Sequence, residues 1–150
     1  MVTPDFGVLE ESVMADMRKS CTEQVIDHFL NPRNVGEIQN ADGFGEVTGP
    51  CGDTMSIWIK VEKGMVAEAK FLTDGCGTTI ASGSMVTELV RRKTITQALK
   101  INQQDVLNAL RGLPEESEHC ALLAANTLKE AIKDYLAFKN EPWKRAFKKY

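Results

Sequence analysis

The sequence predicts an α+β fold: a three-stranded antiparallel sheet packed with several helices. Three observations carry it. Residues 54–62 and 66–73 alternate apolar and polar side chains, and the short turn around Lys63-Gly64 between them reads as a hairpin. After Gly75 the apolar spacing lengthens from two to the helical period of about 3.6 and stays helical. Strands come before helices, without the strand–helix–strand alternation of a parallel sheet.

Taken in order, residues 1–20 are weakly patterned and read as an N-terminal extension. A short helix follows, with Val25, Ile26, Phe29 and Leu30 on one face, Cys21 or Thr22 near its start and Asn31-Pro32 as its stop. Residues 33–43 read as loop, and a first strand covers about 44–48. In the second strand Met55, Ile57, Ile59 and Val61 share one face. Ser56, Lys60 and Glu62 share the other with Trp58, so that second face should be partly covered. In the third, Ala67, Ala69 and Phe71 share a face. A helix over 78–91 carries Ile80, Met85, Leu89 and Val90. Thr94 with Gln97 forms a capping box for a short helix reaching residue 100. Asn102 caps another over 103–111, ended by Gly112-Leu113-Pro114. Ser117 is the candidate N-cap of a long last helix whose buried stripe includes Leu128, Ile132 and Tyr135. The resulting division is an extension (1–20), a core domain (21–138) and a basic C-terminal tail (139–150) with Lys139, Lys144, Arg145, Lys148 and Lys149.

At 150 residues the chain has the length of one ordinary domain. Its net charge of −3 gives no reason to expect nucleic-acid binding. No apolar run is long enough to span a membrane. The acidic N-terminus, with Asp5, Glu10, Glu11 and Asp16, resembles neither a signal nor a transit peptide, so a prokaryotic cytoplasm is the expected location. Four cysteines in that compartment point to metal binding or catalysis rather than disulfides.

Three of them sit at structural boundaries. Cys51 lies in Gly49-Pro50-Cys51-Gly52-Asp53, a turn between strands. Cys76 lies in Asp74-Gly75-Cys76-Gly77, where the last strand hands over to a helix. Cys120 follows His119 in the first turn of the final helix. A helix N-terminus favours thiolate over thiol, and thiolate is the form that binds metal and attacks sulfur. Asp53 and His119 each lie within two residues of a cysteine and add an oxygen and an imidazole, both compatible with iron or zinc. The spacing contains no Cys-x-x-Cys, which excludes zinc-ribbon and thioredoxin motifs. Asp74 can shape the Cys76 turn by bonding backbone N–H groups. His28 and Met85 read as structural, and Cys21 lies outside the three-turn pattern.

These landmarks resemble the IscU/NifU N-terminal family of iron–sulfur cluster assembly scaffolds. The resemblance spans residues 23–136: Val25-Ile26-Asp27-His28-Phe29 with Asn31-Pro32-Arg33-Asn34-Val35-Gly36, Cys51-Gly52-Asp53, Gly75-Cys76-Gly77 with Ile80-Ala81-Ser82-Gly83-Ser84, and Leu113-Pro114 before His119-Cys120. It implies a scaffold, not an enzyme, that accepts sulfur from a cysteine desulfurase, takes up iron, assembles a 2Fe–2S cluster and passes it to apo iron–sulfur acceptor proteins. A homodimer is compatible with it. It implies Cys51, Cys76 and Cys120 as thiolate ligands, Asp53 and His119 as auxiliary ligands, and Cys120 as first persulfide acceptor. Asp53 is a harder ligand than thiolate and would ease release. The family's Leu-Pro-Pro-Val-Lys segment is here Leu113-Pro114-Glu115-Glu116-Ser117, which argues against a dedicated chaperone. The runner-up is a zinc-dependent sulfurtransferase of SufU type. That type lacks a histidine before the last cysteine and carries an insertion between the second and third, whereas this chain has His119 and a compact connection. Zinc fits the same ligands, so zinc in purified protein would not separate the two.

Overall fold

The computed structural model describes residues 19–141 and 143. The extension up to residue 18, and Lys144, Arg145, Lys148 and Lys149 of the basic tail, lie outside the described residues. Helix α1 (Glu23–Leu30) leads into strands β1 (Gly43–Thr48), β2 (Thr54–Glu62) and β3 (Met65–Thr73). Helices α2 (Gly77–Val90), α3 (Ile95–Leu99) and α4 (Gln103–Leu110) follow. A single 3₁₀ turn, Glu115–Ser117, precedes the long α5 (Glu118–Phe138). The strands form an antiparallel meander in the order β1-β2-β3, as the sequence predicts. No helix among the described residues is long and apolar enough to cross a membrane.

Met55, Ile57 and Ile59 of β2 and Phe71 of β3 fill the core face of the sheet, where they join Val86 and Ala81 of α2 and Leu128 and Ile132 of α5. Trp58, on the opposite face, is also buried. Its cross-strand partner Phe44 stacks a tilted ring at 5.1 Å, and Lys70 is its partner on the other side.

Helix α5 lies directly on β1 because Gly43 and Gly45 put no side chain in the way. A Cβ at Gly45 would sit 2.5 Å from the backbone N of Ala131, and one at Gly43 would sit 2.3 Å from its carbonyl O. Asp134 of α5 then accepts the Phe44 N–H at 2.9 Å, which ties helix to strand. Helix α2 is buried along most of its length, between the sheet, α1 and α5. Small residues (Ala81, Ser82, Gly83, Ser84) let neighbours approach from several sides. His28 of α1 meets the Ser84 hydroxyl at 2.7 Å, and that same oxygen accepts the Arg33 N–H at 2.9 Å. Burial pushes the His28 imidazole below its ordinary value, with the Arg33 charge adding to the effect. The structural role expected of His28 is therefore the docking of α1 onto α2.

Four local expectations are corrected. On α1 the buried residues are Val25 and His28, while Leu30 is 43% exposed, because the helix turns its Val25–His28 edge toward Ser84. On β3 it is Val66, not Ala67, that enters the core with Ala69 and Phe71. Opposite Lys60 and Val61 the register shifts, so Glu68 and Val66 are the paired residues and Ala67 is the extra one of a bulge. Ser117 occupies the N-cap position of α5 but makes no side-chain capping bond, its backbone (φ −112°, ψ 1°) lying outside the extended conformation usual for a capping residue. Helix α2 begins at Gly77 with Cys76 as its N-cap residue, and ends at Val90. The Thr94–Gln97 capping box is present, and Asn102 forms a second one with Asp105.

The α5–β1 contact makes a direct prediction. Gly45→Ala forces a methyl into the α5 backbone and should destabilise the protein by about 1–3 kcal/mol, the usual cost of overpacking. Urea unfolding monitored by circular dichroism checks this.

Candidate metal centre

The first turns of α2 and α5 meet beside the β1–β2 turn. Cys76, the N-cap residue of α2, is exposed, and Cys120, in the first turn of α5, is buried at 2% exposure. Between the two sulfurs stand the hydroxyls of Thr78 and Thr79. Thr78 Oγ1 lies 3.3 Å from Cys76 Sγ and 3.4 Å from Cys120 Sγ. Thr79 Oγ1 lies 3.3 Å from Cys120 Sγ and 3.7 Å from Cys76 Sγ, and it donates to Asp53 Oδ2 at 3.0 Å. His119 Nε2 is 3.8 Å from Cys120 Sγ.

The loops that carry these groups are fastened to one another. Asp74, just before the Cys76 turn, accepts the Thr54 N–H at 2.8 Å, and the Thr73 hydroxyl donates to the Thr54 carbonyl at 2.7 Å. The Cys76 turn is thereby bound to the residue after Asp53. The bonding role expected of Asp74 is present, but its partner is across the loop pair rather than within its own turn. In the β1–β2 turn the Gly49 N–H bonds the Asp53 carbonyl, and Gly52 adopts φ +89°, a left-handed conformation that favours glycine. Cys51 sits at the exposed tip of this turn, two residues from Asp53.

The predicted groups are thus gathered unevenly. Cys76, Cys120, Asp53 and His119 are linked through direct contacts or through Thr79, and Cys51 rides on the same turn as Asp53. Among the described residues no three His, Cys, Asp or Glu side chains are close enough to hold one metal ion. Cys21 is half-buried, packs against the core and meets Ser20 at 3.9 Å, so it takes no part in this group. The sequence reading missed Thr78 and Thr79. Their signal was available, because they occupy the second and third positions of a helix whose N-cap residue is Cys76.

The two contacting thiols differ in character. Partial burial pushes the Cys76 thiol up, but hydrogen bonds from the Thr78 hydroxyl and from the Thr79 and Thr78 N–H groups outweigh it, so the net shift is downward. For Cys120, burial pushes the thiol up. The Thr78 hydroxyl pulls against it, while the Cys76 and Asp53 charges reinforce it, and the net shift is upward. Burial thus works against the thiolate form that the helix start of Cys120 favours. As a donor set, three sulfurs, one carboxylate and one imidazole suit iron or zinc.

Residues 20–142 match the NifU-like N terminal domain family, and the chain belongs to that family. Among its relatives, the iron–sulfur cluster assembly scaffold protein IscU 1 of Archaeoglobus fulgidus is 51% identical over 115 residues, covering 76% of this chain and 75% of that one. The iron–sulfur cluster assembly scaffold protein IscU of Escherichia coli strain K12 is 46% identical over 119 residues, covering 76% and 92%. The crystal structure of a nitrogen-fixing NifU-like protein (N-terminal) from Brucella abortus shares the fold at a TM-score of 0.66, over 77% of this chain and 94% of that one, with 15% identity.

Alkylation separates the thiols. With iodoacetamide at pH 8 and peptide mass spectrometry, Cys76 should react well before Cys120, since Cys76 is exposed and poised toward thiolate while Cys120 is buried and held as thiol. The Cys76 rate should reach half its plateau below the ordinary thiol value, and that of Cys120 above it.

Proposed function

We propose that this protein is a scaffold on which a 2Fe–2S cluster is assembled and from which it is passed to apo iron–sulfur proteins. The cluster is cargo rather than a resident cofactor. The observation that carries the reading is the meeting of Cys76 and Cys120, from two helix starts, around a threonine that also holds Asp53, with Cys51 on the Asp53 turn. Membership of the NifU-like family and the scaffold names of its relatives support it. Cys51, Cys76 and Cys120 supply thiolates, and Asp53 and His119 supply the harder donors of a site that holds its cargo for a time and then gives it up.

In this reading a thiolate of the scaffold attacks the outer sulfur of a cysteine desulfurase persulfide. A new S–S bond forms, and the desulfurase cysteine leaves as thiolate. Two electrons per sulfur, from an external reductant, convert the persulfide sulfur to sulfide as iron enters. Cys120 is the first acceptor, and its burial requires the desulfurase to uncover it at the α2–α5 junction. Cys51 and Cys76 already face solvent. The protein acts as a carrier, not a turnover enzyme, in the cytoplasm, and the Glu115-Glu116 segment argues for transfer without a dedicated chaperone.

Anaerobic incubation with ferrous iron, cysteine, reductant and a cysteine desulfurase tests this. The expected result is a visible-absorbing cluster that moves to apo-ferredoxin, with persulfide on Cys120 in a sulfur-only turnover followed by mass spectrometry. Persulfide without any cluster, together with sulfur transfer that requires bound zinc, would replace the scaffold by a zinc-dependent sulfurtransferase.

A further inference from the structure

Thr79 is fully buried, yet its hydroxyl touches three candidate ligands: Asp53 at 3.0 Å, Cys120 at 3.3 Å and Cys76 at 3.7 Å. A hydroxyl has one proton and two lone pairs. The proton goes to Asp53 Oδ2, so toward the sulfurs the oxygen presents lone pairs. The side chain has little freedom to turn elsewhere. Threonine is stiff at χ1, and a Cβ added to Gly75 would lie 2.6 Å from Thr79 Cβ and Cγ2, which shows how closely the turn before Cys76 wraps this residue. Asp53, by contrast, sits on a β1–β2 turn that is exposed at Cys51 and Gly52. Its carboxylate is directed toward the cysteines by the bond to Thr79.

We infer that Thr79 is a positioning residue for Asp53: it holds one carboxylate oxygen by hydrogen bond, so that the other is presented to a metal bound between Cys51, Cys76 and Cys120. The inference rests on the metal-centre reading above and adds to it a residue outside the cysteine, aspartate and histidine set. The chemistry is that of an outer partner to a ligating carboxylate, which fixes its orientation and is commonly worth about 10–100-fold in metal affinity. A shape-matched residue without the hydroxyl would leave the fold in place and the carboxylate free to swing into solvent.

The experiment is a Co(II) titration of the full-length, metal-free protein under anaerobic conditions, reading the thiolate-to-cobalt charge-transfer band and the ligand-field bands. Wild type, Thr79→Val, Thr79→Ser, Asp53→Ala and the Thr79→Val/Asp53→Ala double variant are compared, each with a thermal melt to show that it is folded. Thr79→Val should bind Co(II) about 10–100-fold more weakly, with altered ligand-field bands. Thr79→Ser, which keeps the hydroxyl, should restore both. In the Asp53→Ala background the valine substitution should change affinity by less than about twofold, because the group it acts through is gone. Wild-type affinity and bands in Thr79→Val would overturn the inference and leave the metal centre standing. An equal loss in both backgrounds would overturn it too, since Thr79 would then be acting on the sulfurs or the fold rather than on Asp53. If wild type gave no charge-transfer band, the metal-centre reading and this inference would fall together.

Discussion

Close contact between the backbone of α5 and strand β1 fixes where the long C-terminal helix lies on the sheet. Gly43 and Gly45 leave that side of β1 bare, the helix settles onto it, and Asp134 fastens it there through the Phe44 N–H. The position of α5 then decides where its first turn falls. Cys120 arrives within hydrogen-bonding distance of Thr78 and Thr79, residues 42 and 41 positions earlier in the chain. Side chains at Gly43 and Gly45 would lift the helix away and part the two helix starts. A packing requirement in the middle of the domain thus sets the geometry of a site at its end.

Two further features of that site follow from how its parts are mounted. Cys76 and Cys120 sit on regular helices backed by the core, while Cys51 and Asp53 sit on a turn held mainly by backbone bonds and by the Thr54–Asp74 link. The helix half keeps its sulfurs beside two threonine hydroxyls, and the turn half is tied to it through the Thr79–Asp53 bond. Burial separates the thiols further: Cys76 is exposed and shifted toward thiolate, and Cys120 is enclosed and shifted toward thiol. In the proposed scaffold, a site that accepts iron and sulfur separately and later surrenders both has use for thiols that are not equivalent.

Much of this was legible in the sequence, and the failures have physical reasons. The strand alternation, the Lys63-Gly64 turn and the capping residues Thr94 and Asn102 act locally, so they read directly. The cysteines stood out because each falls at a boundary between elements. The bulge at Ala67 did not, because Val66 and Ala67 are both apolar and only the pairing with β2 decides which one enters the core. Leu30 read as sharing one face with Val25, because helical spacing marks an apolar edge but not the direction from which a partner comes. Cys120 read as a favoured thiolate because its helix start is visible in the sequence and the depth of its burial is not. Thr78 and Thr79 gain their meaning only when two helix starts distant in sequence meet.

In the proposed scaffold, thiols from three separate turns serve one cargo while the fourth cysteine stands apart. The most direct measurement is cluster reconstitution, followed by visible absorption and Mössbauer spectroscopy, on the four single cysteine-to-serine variants. Cys51→Ser, Cys76→Ser and Cys120→Ser should each lose the cluster or hold it only briefly, and Cys21→Ser should retain it as wild type does. A cluster that survives Cys76→Ser or Cys120→Ser unchanged, or one that is lost with Cys21→Ser in a folded protein, would contradict that reading.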